Sequence, residues 1–181
     1  MDRPYHVLFI SRRNSARSLM AEGVVNRHGK GNFQAFSAGV EPTDTADPVA
    51  LEVLEQAGYS TQDLRPKHWS EFGRPDAPQF DFVFTLSATA SREKFPDRPG
   101  KPASAHWRYS DLIKVEGYAW QKGRNYGRTL QALERQMRVF MQLSFARHDR
   151  IALQSSLDQL AEHRAEEASA GADTSGPYRL I

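Results

Sequence analysis

Apolar and polar positions along this chain fall into two alternating periods. Tyr5 to Ile10 is a short apolar run rich in β-formers and reads as a buried strand. A polar stretch opens at Ser11, after which Ala16, Leu19, Met20, Gly23 and Val24 recur at helical spacing. That spacing predicts a helix from near Ser15 to just before Gly29. Phe33 to Ala38 reads as a second strand. Asp47-Pro48 has the form of an N-cap followed by proline at the first helical position. The helix it opens carries Ala50, Leu51, Leu54 and Ala57 on one face and stops at Gly58. Phe80 to Leu86 predicts a third strand and Ser104 to Trp107 a fourth. A long amphipathic helix follows, with Leu130, Leu133, Met137, Phe140 and Met141 on one side. Leu153, Leu157, Leu160 and Ala161 suit one more helix, and beyond Arg164 the composition suits a frayed tail.

Strands alternating with helices imply an α/β fold of three layers, a four-stranded parallel sheet with helices on both faces. The expected organisation is one α/β domain over residues 1–150, with a helical extension and tail over 151–181.

Composition changes this picture little. The 181 residues are 39% hydrophobic and 25% charged, with a net charge of +2. The charges are well mixed along most of the chain, so a nucleic-acid partner is not expected. No apolar run approaches the ~20 residues of a membrane helix, and the N-terminal residues lead directly into a strand. The expected location is the cytoplasm. Cysteine is the exception, since there is none. Thiol nucleophiles, thiolate metal sites and disulfides are excluded together. No metal-ligand cluster has credible spacing, and no cofactor is expected.

In a parallel sheet, ligands bind beyond the carboxyl ends of the strands, where the segment from Ser11 to Ser18 lies. Amides at a helix start lack intrahelical partners, and the helix dipole favours an anion there. Asn14 tolerates the left-handed backbone that folds a loop into a nest of amides. Arg17 can reach an anion as a two-pronged donor. Ser18 can support the first residue of the loop through its hydroxyl. The plainer alternative is an ordinary strand-to-helix turn with solvated arginines.

The run from Val7 to Gly23, with Ser11-Arg12-Arg13-Asn14-Ser15-Ala16-Arg17-Ser18 at its centre, resembles the signature of low-molecular-weight protein tyrosine phosphatases and thioredoxin-coupled arsenate reductases. That family reads Cys-x5-Arg, followed by Met-Ala-Glu. Phe36 to Pro42, Pro48, Ala50 to Gly58, and Asp81 to Leu86 are similar to its next segments. His106-Trp107, Asp111 and Val115-Glu116-Gly117 resemble the stretch holding its general acid. The likeness runs over roughly the first 145 residues and is specific in order and spacing. It implies the family fold, an oxyanion site at Ser11, Arg12, Arg13, Asn14, Ser15, Ala16, Arg17 and Ser18, and vestigial catalytic positions at Ser11, Arg17 and Asp111. Phosphate, sulfate, arsenate or a phosphorylated partner would be the ligand.

The departures from that pattern concern chemistry. The family nucleophile is a cysteine held as thiolate, and Ser11 stands in its place. The two further reductase cysteines align with Ser87 and, allowing one inserted residue, with Phe95. Asp111 is followed by Leu112 where the family has proline. Arg12-Arg13 replaces Thr-Gly, either as two more anion contacts or as solvated side chains. Serine would need a neighbouring base, and His106 is the one candidate the fold could supply. An engineered change could explain Ser11, but not Arg12, Arg13, Phe95 and Leu112 as well, so natural divergence is the more economical account. The pairs Lys67-His68 and Lys122-Arg124 read as solvated. Trp69 and Trp120 either flank a substrate cleft or close a core edge.

Three readings follow. One is a catalytically silent relative that binds an oxyanion. Another is an active phosphatase or reductase seen as a cysteine-free variant. The third is a protein or nucleic-acid interaction module on the same fold.

Overall fold

The computed structural model describes residues 3–93, 102–109, 119–143 and 153–162. Strands β1 (Tyr5–Ser11), β2 (Phe33–Gly39), β3 (Phe82–Thr85) and β4 (Ala103–His106) form one sheet in the order β2-β1-β3-β4. Every neighbouring pair is parallel. Helices α1 (Arg17–His28), α2 (Pro48–Gln56), α3 (Ala88–Arg92) and α4 (Ala119–Met141) alternate with the strands, and a further helix, α5, occupies 153–162. This is the expected α/β architecture. Phe80 and Leu86 lie just outside the third strand, and Trp107 just beyond the fourth. The Asp47 carboxylate accepts from the Val49 N–H, and Pro48 follows it, as the sequence predicts for the start of α2.

Strands buried on both faces lack polar alternation, and β1 fits that pattern. Val7 and Phe9 point into the larger core with Phe33, Ala35, Phe82, Phe84 and Trp107, against α1, α2 and α4. Leu8 and Ile10 point the other way, toward Phe80, Val83 and Ala90, where Phe36, Trp69 and Phe72 close the edge. Trp107 stacks on Phe84 with ring centroids 3.8 Å apart. Leu157 of α5 is fully buried in the larger core, and Gln154 Nε2 donates to the Ser104 carbonyl of β4. The helix that the leucine spacing predicts over 153–161 is therefore part of the packed structure.

The layers place the carboxyl ends of β1 and β3 beside the start of α1. Ser11, the last residue of β1, pairs with Gly39 of β2. No helix among the described residues is long and apolar enough to cross a membrane.

Candidate anion-binding loop

The connection from β1 to α1 is held from outside by its carbonyls. Those of Ser11, Arg12, Arg13 and Ser15 accept from the N–H groups of Val40 (3.1 Å), Glu41 (2.8 Å), Thr43 (3.1 Å) and Asp47 (2.8 Å). In a trans peptide the C=O and N–H point in opposite directions. Turning these four carbonyls toward the 40–47 segment therefore turns the N–H groups of Arg12, Arg13, Asn14 and Ala16 toward the other side. The Ser11 hydroxyl lies on that side, because the Asn14 N–H donates to Ser11 Oγ at 3.1 Å. Asn14 itself has φ of 49°, the left-handed conformation expected of it. A β-carbon at Gly39 would sit 3.0 Å from both the Arg12 carbonyl and Asn14 Cβ, so any larger residue would crowd β2 against the loop.

Beneath the loop runs a chain of buried polar groups. Ser11 Oγ and Ser18 Oγ are 2.8 Å apart. Asn14 Nδ2 donates to Ser18 Oγ and to Ser37 Oγ, both at 2.8 Å, and Asn14 Oδ1 accepts from the Lys67 N–H at 2.8 Å. The Ser37 hydroxyl donates to the Glu22 carboxylate, which also meets Lys67 Nζ at 3.4 Å. Asn14, Ser18, Ser37, Glu22 and Lys67 are all buried. Burial pushes the Glu22 carboxyl above the usual carboxylate range, and Lys67 and Ser37 pull it partly back. The expectation that Lys67 is solvated is thus overturned: its ammonium is inside, opposite a carboxylate. Sequence reasoning missed Ser37, Glu22 and Lys67 as members of the site. The signal was present in Ser18 and Glu22, which lie four residues apart and so place two polar side chains on one face of α1, with Asn14 in the turn just before it.

Arg17 is buried, and its Nη1 donates to the carbonyls of Leu86 (3.1 Å) and Tyr109 (2.9 Å). These bonds fix the guanidinium beside the carboxyl end of β3. Arg12 and Arg13 are exposed, and Arg12 Nε pairs with Glu41 at 2.9 Å. Arg12 is thus held back along the outer wall rather than aimed into the loop. Ser15 and Ala16 are buried in the turn before α1, which begins at Arg17 rather than near Ser15. The Ala16 φ of −142° and ψ of −81° are not helical, which delays the helix. Asp47 is tied twice, through its N–H to Ser15 and through its carboxylate to Lys122 Nζ at 2.6 Å and the Tyr126 hydroxyl at 2.8 Å. Lys122, expected in solvent, is therefore an ion-pair partner. Burial alone would raise the Asp47 carboxyl, but the hydrogen bonds from Lys122, Tyr126 and the Val49 amide together hold it below its ordinary value.

His106 stands at the end of β4, and β3 separates it from β1. Two strand spacings, about 10 Å, lie between it and the Ser11 strand. Its Nδ1 lies 3.0 Å from the Thr85 carbonyl and 2.9 Å from Thr85 Oγ1. Burial pushes the imidazole below its usual value, Arg108 adds to this, and the Thr85 carbonyl opposes it. Among the described residues the partners of Ser11 Oγ are the Asn14 N–H and Ser18 Oγ, and neither is a base. Ser87 caps α3 by accepting from the Ala90 N–H at 3.2 Å. Asp111, Phe95 and the 115–117 stretch lie outside the described residues. Trp69 closes the edge of the smaller core, while Trp120 is 57% exposed. No group of three or more His, Cys, Asp or Glu among the described residues could hold a metal ion.

The profile of the low molecular weight phosphotyrosine protein phosphatases matches residues 6–106. The arsenate reductase of Bacillus licheniformis is 31% identical over 117 residues, which make up 64% of this chain and 80% of that protein. Among solved structures, the arsenate reductase of Archaeoglobus fulgidus superposes with a TM-score of 0.60 at 26% identity, over 75% of this chain and 98% of its own. The thioredoxin-dependent arsenate reductase of Corynebacterium glutamicum shares the fold with a TM-score of 0.52 at 21% identity, over 77% of this chain and 64% of that longer one.

Proposed function

The chain belongs to the low-molecular-weight phosphotyrosine protein phosphatase family, and we propose that it binds a tetrahedral oxyanion in the Ser11–Ser18 loop without turning it over. The ligand class is phosphate, sulfate or arsenate, or a phosphate group carried by a partner. The observation that carries this reading is the orientation of the loop peptides, whose carbonyls are taken by the 40–47 segment while the opposed amides face the Ser11 hydroxyl. Inward amides at a helix start, with a buried arginine nearby, make a site of positive potential.

The same geometry argues against turnover. The family step needs a thiolate, which loop donors stabilise readily because a thiol has a pKa near 8.5. A serine hydroxyl is far less acidic and must pass its proton to a base as it attacks. Ser11 contacts an amide N–H and another hydroxyl instead. A neutral hydroxyl also repels an anion less than a thiolate does, so binding survives the loss of the nucleophile.

Titration of phosphate, sulfate and arsenate by calorimetry and by melting temperature, at constant ionic strength, tests this function. A ligand at ~100 times its dissociation constant stabilises the fold by about 2.7 kcal/mol. Ser11→Asp places a carboxylate among the same donors and erases the shift. A flat response to all three anions refutes binding. Hydrolysis of a chromogenic phosphate ester that vanishes in Ser11→Ala refutes the absence of turnover.

A further inference from the structure

Positive charge is concentrated in one continuous segment of the chain. Helix α4 holds five of the 24 lysines and arginines and one of the 22 carboxylates, so it carries +4 while the remaining residues together carry −2. Its carboxylate, Glu134, is turned aside to accept the Tyr59 hydroxyl. Lys122 is spent on Asp47. The other four cations, Arg124, Arg128, Arg135 and Arg138, are all exposed. None has a carboxylate within ion-pair distance among the described residues.

Their spacing makes one surface of them. At about 100° per residue, Trp120, Arg124, Arg128, Gln131, Arg135 and Arg138 fall within an arc about 80° wide, opposite the buried Tyr126, Leu130, Leu133, Met137 and Phe140. From Arg124 to Arg138 the arc runs about 21 Å. Trp120 lies at one end with Arg124 over its ring, 5.7 Å from the centroid.

From this arrangement we propose that the outer face of α4 binds single-stranded nucleic acid. A row of guanidiniums without ion-pair partners among the described residues matches a chain of phosphates in charge and supplies planar forks for their oxygens. An exposed indole offers a face on which a base can stack, which an acidic peptide would leave unused. A membrane surface fits less well, since Trp120 and Val139 are the exposed large apolar side chains among the described residues. The surface does not involve the Ser11–Ser18 loop, so it stands or falls apart from the oxyanion reading.

The test is fluorescence anisotropy of a labelled oligothymidylate titrated with the full chain over a series of salt concentrations. Four arginine contacts predict a slope of log affinity on log salt of about −2.8. Arg128→Glu with Arg135→Glu should weaken binding at least ten-fold with the melting temperature unchanged. Trp120→Ala should weaken it about five-fold or more and remove the quenching of indole fluorescence. Millimolar phosphate at fixed ionic strength should not compete. Four results would each overturn the proposal: no binding at low salt, binding indifferent to the charge reversal, displacement by phosphate that assigns the strand to the loop, or equal binding of polyglutamate that assigns an acidic protein.

Discussion

Ser11 Oγ lies 2.8 Å from Ser18 Oγ, and the Asn14 N–H approaches the same Ser11 oxygen at 3.1 Å. Ser18 Oγ is itself an acceptor for Asn14 Nδ2, so its own proton can turn toward Ser11. Such a pair of donors is more than a neutral hydroxyl needs, and suits an atom carrying negative charge. The loop thus retains the means of holding an anion at its first position, although the residue there no longer ionises.

Restoring sulfur should expose that property. In Ser11→Cys the thiol would meet the same donors and the start of α1, and its pKa should fall well below the ordinary 8.5. The chain contains no other cysteine, so alkylation rate against pH reports this one thiol. A thiol titrating at or above 8.5 in the folded variant would show that the loop does not favour negative charge.

Asn14 combines two functions that substitution can separate. Its φ of 49° costs an ordinary side chain roughly 1 kcal/mol, and its amide group bonds Ser18, Ser37 and the Lys67 N–H. Asn14→Ala should lose about 3 kcal/mol of stability, combining the backbone cost with unsatisfied buried polar groups. Asn14→Gly removes the backbone cost and should lose about 1 kcal/mol less. Equal losses in denaturant titrations would mean that the left-handed turn is not what the asparagine serves.

Asp47 links the loop to α2 and α4, and its contribution should depend on pH. Its carboxyl is held below the ordinary value in the folded state. A depressed carboxyl stabilises the fold fully above its unfolded pKa and loses that contribution as pH falls through the folded one. Asp47→Asn should therefore cost stability at neutral pH. Asparagine keeps the cap acceptor, so the loss is that of the charge facing Lys122 and the Tyr126 hydroxyl, on the order of 1 kcal/mol. The gap between variant and parent should close below about pH 4. A gap that persists unchanged into acid would show that the carboxylate charge is not what matters.

The four strands and the position of the loop were legible in the sequence because each rests on a local pattern. The β1 run, the Asp47-Pro48 start and the leucine spacings of α4 and α5 needed no tertiary information. The Asn14–Ser37–Glu22–Lys67 chain was not legible as a unit, since its members come from the β1–α1 loop, α1, β2 and the segment before Trp69 and meet only when β2 pairs with β1. Lys67 and Lys122 looked like solvated cations because nothing near them in sequence reveals a buried or half-buried carboxylate opposite. Arg12 was expected either to reach an anion or to point into solvent. It lies along the outer wall because Glu41, placed by the strand-end pairing, is its nearer partner. The separation of His106 from Ser11 follows from β3 lying between them, an order that no single strand encodes.

In the function proposed for this chain, the Ser11–Ser18 loop holds a tetrahedral oxyanion on its backbone amides and leaves it chemically unchanged. Crystals soaked in arsenate and measured at the arsenic absorption edge test this directly. One anomalous peak is expected within hydrogen-bond reach of the Arg12, Arg13, Asn14 and Ala16 amides, with four oxygens around the arsenic and none bonded to Ser11 Oγ. A loop without arsenic at saturating arsenate, or a covalent bond from Ser11 Oγ to it, would rule out that mode of binding.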